Sequence, residues 1–405
     1  MRGMPVWLSA LGAALLMQTS AAFLTRVFPV MGPALTDAVG VAPERIGILA
    51  SVTSFGTMVY LIAGGDLLPR LGAVRTLQVG VCIGTAGLLA ALLGAWEALI
   101  FAAFLIGVGY GPSPPAGSDI LNRHAPPGRR SLVFSIKQSG VPLGGAVAGV
   151  LMPALLVWAD WRTACAIAAA AALATIAFVQ PVRAAIDAER DRHHPLRLSE
   201  ALRPRSLLRP FRAVAEGPVM LATTYAGFCF ALVQGCLFAF YVTFLATGLG
   251  LSLPLAGLAF AVMQGVGVVG RVAVGWIADS VGSARATLVA LAVASSAATL
   301  AVAGMSDGWP VWAIVGLAGV SGFASASWNG VYLSEIAAAA PAGMVGHATA
   351  GSTFLTFIGY VVGPVVFGAA VTAAGGYQAA FAVTAAAPLT GAASLLYAMR
   401  RTRET

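Results

Sequence analysis

The sequence is short of charge, and shortest of all in lysine. Only 9% of its 405 residues are Asp, Glu, Lys or Arg, against about 25% in an ordinary soluble domain. Of the 23 basic residues all but one are arginine, and the exception is Lys137. So little charge excludes a water-soluble helical bundle, whose helices each need a polar face. A lone lysine preceded by Ile136 also excludes an ATP-binding G-x-x-x-x-G-K-[ST] loop, and with it ATP-driven work by this chain alone. Cysteine is sparse as well. Cys82, Cys165, Cys229 and Cys236 fall in apolar segments without metal-ligand spacing or a disulfide framework, and read as packing residues. Ser/His/Asp, Cys/His and paired-carboxylate constellations are missing, and His193 and His194 are adjacent in a polar stretch. Neither an enzyme nor a cofactor or metal is expected.

What is present is apolar. Hydrophobic residues make up 59% of the chain, and the mean hydropathy is +0.88. Runs of about 20 apolar residues recur, each able to cross a hydrocarbon layer about 30 Å thick. The pattern predicts an all-α membrane protein with spans at 6–33, 45–68, 73–95, 97–121, 131–157 and 161–182, then at 218–247, 254–278, 285–305, 310–334, 343–372 and 377–399. Eleven such runs follow the first, so it is expected to be an uncleaved span and not a signal peptide. The long polar stretch between the sets divides the chain into a six-helix bundle (1–182), a connector (183–217) and a second six-helix bundle (218–405). Arginines cluster at alternate loops. Eighteen of the 23 basic residues would share one side, including eight arginines from Arg183 to Arg212. By the positive-inside rule both termini and the connector are cytoplasmic, as in a bacterial inner membrane. The net charge of +8 is thereby explained by topology, and no nucleic-acid partner is expected.

The halves repeat one another. "GDLLPRLGAVR" (Gly65–Arg75) and "GWIADSVGSAR" (Gly275–Arg285) each follow the second span of a half. Gly65, Gly72 and Arg75 recur as Gly275, Gly282 and Arg285 at an offset of 210 residues. This Gly-x-x-x-Asp-x-x-Gly-x-x-Arg pattern resembles the loop signature of the major facilitator superfamily, and the resemblance covers the whole chain through span count, connector and repeat. It implies two pseudo-symmetric six-helix bundles working by alternating access. In it Asp66, Arg70, Arg75, Asp279 and Arg285 would serve gating. The first copy departs from the pattern, with Pro69 in the acidic position, and the fourth span, "FAAFLIGVGYG", lacks the superfamily's frequent arginine. "GVGVVG" (Gly265–Gly270) fits a dinucleotide fingerprint only in spelling. Inside an apolar span its glycines serve close helix packing, as do Gly140, Gly144 and Ala148.

Charges at bilayer depth need a partner or a wet cavity and mark function. Arg26, Lys137 and Arg271 lie within spans, whereas Asp119 is the one acid of comparable depth and Glu335 closes the tenth span. The surplus of cations favours an anionic substrate, a small carboxylate. An arginine in the eighth span is shared with monocarboxylate and oxalate transporters of the resembled superfamily, where it binds the carboxylate. Lys137 either contacts substrate or coupling ion, pairs with Asp119 to close an inner gate, or snorkels to the interface. Trp328 and Tyr332, four residues apart on one helix face with Asn329 beside them, form either a cavity wall or aromatic packing. Gln138 and Gln264 are candidate cavity donors. Pro142 and Pro364 offer bending points, although the run around Pro142 also resembles a glycine–proline motif of drug antiporters. Proton coupling would need a titratable carrier among Asp119, Glu335 and Lys137, whereas anion exchange would need none.

The expectation is a monomeric secondary transporter of a small organic anion, its partners being the lipid bilayer, the substrate and, in a symport, protons. The alternatives are an exporter of drugs or amphipathic metabolites on the same fold, and a non-transporting membrane sensor.

Overall fold

The computed structural model describes residues 5–126, 130–195, 211–341 and 344–404. Among these residues twelve helices are long and apolar enough to cross a membrane. They are α1 Val6–Val30, α2 Pro43–Ala63, α3 Ala73–Leu93, α4 Trp96–His124, α5 Val133–Trp158 and α6 Trp161–Ile186, then α7 Pro218–Gly248, α8 Leu253–Val281, α9 Ala284–Ala303, α10 Val311–Ala339, α11 Val345–Ala374 and α12 Tyr377–Arg401. The described residues contain no strand. The all-α architecture read from the apolar runs is the one adopted, with helix ends shifted by a few residues. Helices are dictated here because lipid offers no partner to an unpaired backbone N–H or C=O. Of the expected connector, residues 196–210 lie outside the described residues.

Helix ends follow local chemistry. Asp160 caps α6, its carboxylate accepting the Thr163 N–H at 2.7 Å, and that bond holds the carboxyl below its usual range. Gly282 closes α8 in the left-handed region at φ 67°, a conformation that an L-residue with a Cβ rarely adopts.

Two compact units emerge, one from Met1–Gly40 with Val52–Leu202 and the other from Val41–Ser51 with Arg203–Thr405, taken over their described residues. Within the second unit α7 is the enclosed helix. It packs on α11 and α12, and 89% of its apolar window is buried, so it faces protein on all sides where most spans face lipid on one.

The sequence repeat has a packing counterpart inside each unit. In the first, Gly107 of α4 lies directly on the Thr53 carbonyl of α2. In the second, Gly322 of α10 lies on the Met263 carbonyl of α8, and a Cβ at either glycine would overlap that carbonyl. Thr53 and Met263 are again 210 residues apart. Small residues at such crossings let helix backbones approach closely, which is how helices associate in lipid. Gly322→Val is therefore expected to destabilise the purified protein by about 1–3 kcal/mol or more. A melting temperature in detergent equal to that of the wild type would contradict the contact.

Two spans break where the repeat places them, one turn beyond those glycines. In α4 the helix Trp96–Tyr110 gives way at Gly111 and Pro112 to Ser113–His124. Pro114 and Pro115 have no N–H to return to the carbonyls of Tyr110 and Gly111. In α10 the helix Val311–Ala326 stops, and Asn329–Ala339 begins after Ser327 and Trp328. A third break, at Ser139 within α5, separates the helical segments Arg130–Gln138 and Gly140–Trp158. Pro142 falls in the first turn after it, whereas Pro364 lies inside the unbroken α11.

Candidate functional site

The breaks in α4 and α5 meet at Lys137. Its side chain is 2% exposed, among the most deeply enclosed large residues of the protein. Its ammonium donates to the Ser113 carbonyl at 3.3 Å and to Gln138 Oε1 at 3.1 Å. Ser113 opens the second segment of α4, so the break brings this carbonyl within the lysine's reach. Gln138 Oε1 also accepts from Gln18 Nε2 of α1 at 3.3 Å. Gln18 is itself 1% exposed. The lysine stem runs over Gly117, where a Cβ would collide with it. Asp119, proposed from sequence as its gate partner, forms an ion pair with Arg123 one turn on. That pair is a third exposed on the acid side, where such i,i+4 pairs contribute only about 0.3–0.5 kcal/mol. Arg26 is half-buried in α1.

The loop after α2 uses an acid that sequence reasoning did not single out. With Pro69 in the signature's acidic position, Asp187 supplies the carboxylate instead. It is fully buried and accepts the N–H groups of Val74 and Arg75 at 2.9 and 3.0 Å. It thus neutralises the positive N-terminal end of α3. Arg75 turns its guanidinium to Gln78, Asp66 meets His194 at 3.4 Å, and Arg70 is exposed.

In the second unit Arg271 and Gln264 occupy one face of α8. Seven residues separate them, two turns or about 10 Å, and they straddle the middle of Leu253–Val281. Arg271 is half-buried, and its Nε donates to the Ala326 carbonyl at 3.1 Å. Ala326 ends the first segment of α10, where carbonyls lose their helical partners and the helix dipole is negative. The arginine is thus oriented by the break. Gln264 is 1% exposed, and neither its amide oxygen nor its nitrogen has a hydrogen-bond partner among the described residues. Ser327 Oγ, in the break itself, is in the same condition.

The aromatic pair of α10 is enclosed. Trp328 stacks on Phe230 of α7, ring centroids 5.4 Å apart and planes 10° from parallel, and meets Tyr332 edge-on at 5.3 Å. Tyr332 bonds Ser352 and Thr356 of α11 through its hydroxyl. Both rings are at most 2% exposed, so the packing alternative describes them better than an open cavity wall. Asn329 is half-buried beside them. Glu335 is 6% exposed and pairs with Arg285 of the second loop signature at 2.6 Å, while Asp279 is exposed.

Known proteins resemble the chain along its whole length. Residues 10–364 match the family model described as Major Facilitator Superfamily. An uncharacterized MFS-type transporter of Mycobacterium tuberculosis is 31% identical over 274 residues, covering 66% of this chain and 58% of its own length. The chain thus spans well under two thirds of that relative. The hexuronate transporter of Bacillus subtilis is 28% identical over 135 residues, 33% of this chain and 32% of the relative. A probable chloroplastic anion transporter of Arabidopsis thaliana is 29% identical over 119 residues, 29% of this chain and 23% of the relative. In fold the chain is similar to a bacterial Spinster homolog in an inward-facing, unoccupied conformation, with a TM-score of 0.73 at 15% identity over 98% of both chains. It is likewise similar to the nucleoside transporter NupG, with a TM-score of 0.75 at 15% identity over 97% and 99% of the two chains. Twelve membrane-length helices, a repeated loop signature, a repeated glycine crossing and a family match over most of the sequence agree: the chain belongs to the Major Facilitator Superfamily.

Proposed function

We propose that the protein is a secondary transporter that moves a small organic anion of the carboxylate class across a membrane by alternating access. The observation that carries this reading is the pairing of Arg271 with Gln264 at the middle of α8. A guanidinium oriented at membrane depth by a backbone carbonyl has the planar fork that matches a carboxylate in bidentate fashion. The enclosed ammonium of Lys137 adds a cation in the other unit, and both are stronger attractors in a low-dielectric setting than in water. The relatives named for hexuronate and for anions support the same substrate class. The arginine-rich connector and loops support a cytoplasmic location for both termini. Of the three cations Arg26, Lys137 and Arg271, Lys137 is the one that can give up a proton, since arginine stays charged, and that makes it the coupling candidate.

A thermal-shift screen of the purified protein against carboxylates, amines and neutral solutes tests the reading. A carboxylate at a hundredfold excess over its Kd should add about 2.7 kcal/mol of stability. Shifts by amines alone would overturn the proposal. Gln264→Met gives a sharper form of the test. Without an internal partner, the buried amide costs about 1–3 kcal/mol. The variant is expected to melt at or above the wild-type temperature while binding the carboxylate about tenfold more weakly. A lower melting temperature with unchanged affinity would place Gln264 in packing alone.

A further inference from the structure

In the second unit, besides Gln264, a further amide stands at mid-membrane depth. Gln234 lies at the centre of α7 and is 2% exposed. Its Oε1 accepts two hydrogen bonds, from Trp328 Nε1 at 3.0 Å and from the Tyr360 hydroxyl at 2.6 Å. An indole N–H can only donate, so the amide orientation is fixed by chemistry: the oxygen must face Trp328. With both acceptor positions filled, what Gln234 has left is the Nε2 amino group and its two N–H donors. Nε2 donates to none of the described residues. The aromatic partners are themselves immobilised. Phe230, one turn before Gln234, stacks on Trp328, and the Tyr360 ring lies 3.3 Å from where a Cβ on Gly235 would stand. Packing alone would need only an acceptor at position 234. The amide also supplies a rigid neutral donor.

We infer that Gln234 is a specificity residue whose Nε2 reads a second, uncharged oxygen of the substrate. The preferred ligand is then a hydroxy- or oxo-carboxylate and not a plain alkanoate. This inference rests on the anion reading above and narrows it: Arg271 takes the carboxylate, and the amide takes a hydroxyl or carbonyl oxygen. A site built to bond such an oxygen rejects the analogue that lacks it, because its own buried donor is left unpaired.

The experiment is uptake of radiolabelled acids into proteoliposomes, corrected by protein-free liposomes. The probes are two matched pairs, glycerate with propionate and gluconate with hexanoate, and the readout is the uptake ratio within a pair. Wild-type protein should favour the hydroxylated member of at least one pair by about tenfold or more. Gln234→Glu keeps an acceptor for Trp328 and Tyr360 but loses the N–H donors, and should bring that ratio close to one. An added negative charge would slow both members of a pair equally and leave the ratio intact, so a ratio that survives in the variant overturns the inference. Equal uptake of both members by the wild type also overturns it, whether or not the variant folds. Saturable uptake of none of the four acids counts against the anion reading itself, a failure distinct from loss of discrimination.

Discussion

Arg271→Ala is expected to reduce carboxylate uptake in proteoliposomes at least about 100-fold. Removing one member of an enclosed, hydrogen-bonded charge pair typically costs about 2–5 kcal/mol, and each 1.4 kcal/mol is a factor of about ten. The substrate carboxylate would lose its guanidinium partner at membrane depth, where an unpaired charge is costly. Part of the effect would be structural, because Arg271 also holds the Ala326 carbonyl at the break in α10. Arg271→Gln separates the two roles. Its amide retains a donor for that carbonyl and removes the charge, so the protein should keep its melting temperature and still fail to take up anions. Normal uptake by Arg271→Gln would show that the arginine serves the helix break alone.

Lys137→Met is expected to produce a comparable loss of uptake, at least about 100-fold, with no loss of stability. Methionine matches the lysine stem in length and flexibility, and Gln138 Oε1 still receives the Gln18 amide. Replacing a buried charge by an apolar residue of similar volume is often neutral or stabilising. The 2% exposure of Lys137 therefore identifies a group kept at some cost to the fold. If the lysine existed to tie α4 to α5 through Ser113, Lys137→Met would instead lower the melting temperature and leave uptake of the folded fraction unchanged. Comparing uptake with thermal melts on one preparation decides between the two.

The fold was legible in the sequence because lipid leaves few alternatives to an apolar run of about 20 residues, and because arginines punctuate the runs. The repeat around Gly65 and Gly275 was legible because each copy keeps its glycines and its arginine. The break in α4 announces itself through Pro112, Pro114 and Pro115. The break in α10 does not, since Ser327 and Trp328 carry no local signal of a helix end, and that break is what presents the Ala326 carbonyl to Arg271. Helical spacing put Trp328 and Tyr332 on one face but could not say that α7 and α11 cover them. Gln234 was missed as a single amide in an apolar stretch, for its meaning lies in the two donors that meet it from α10 and α11. Asp187 was hidden among the solvated charges that follow α6, because its partners are backbone N–H groups more than 100 residues away. Depth alone offered Asp119 as one of several partners for Lys137, whereas in the fold Asp119 finds Arg123 one turn along its own helix.

The central claim is that the charges placed within the spans serve an anion. Initial rates of radiolabelled carboxylate uptake by wild-type proteoliposomes, measured with and without an excess of cationic dyes as competitors, test it most directly. The account predicts saturable carboxylate uptake that the dyes leave unchanged. Saturable accumulation of the dyes, with carboxylate entry no faster than in protein-free liposomes, would contradict it.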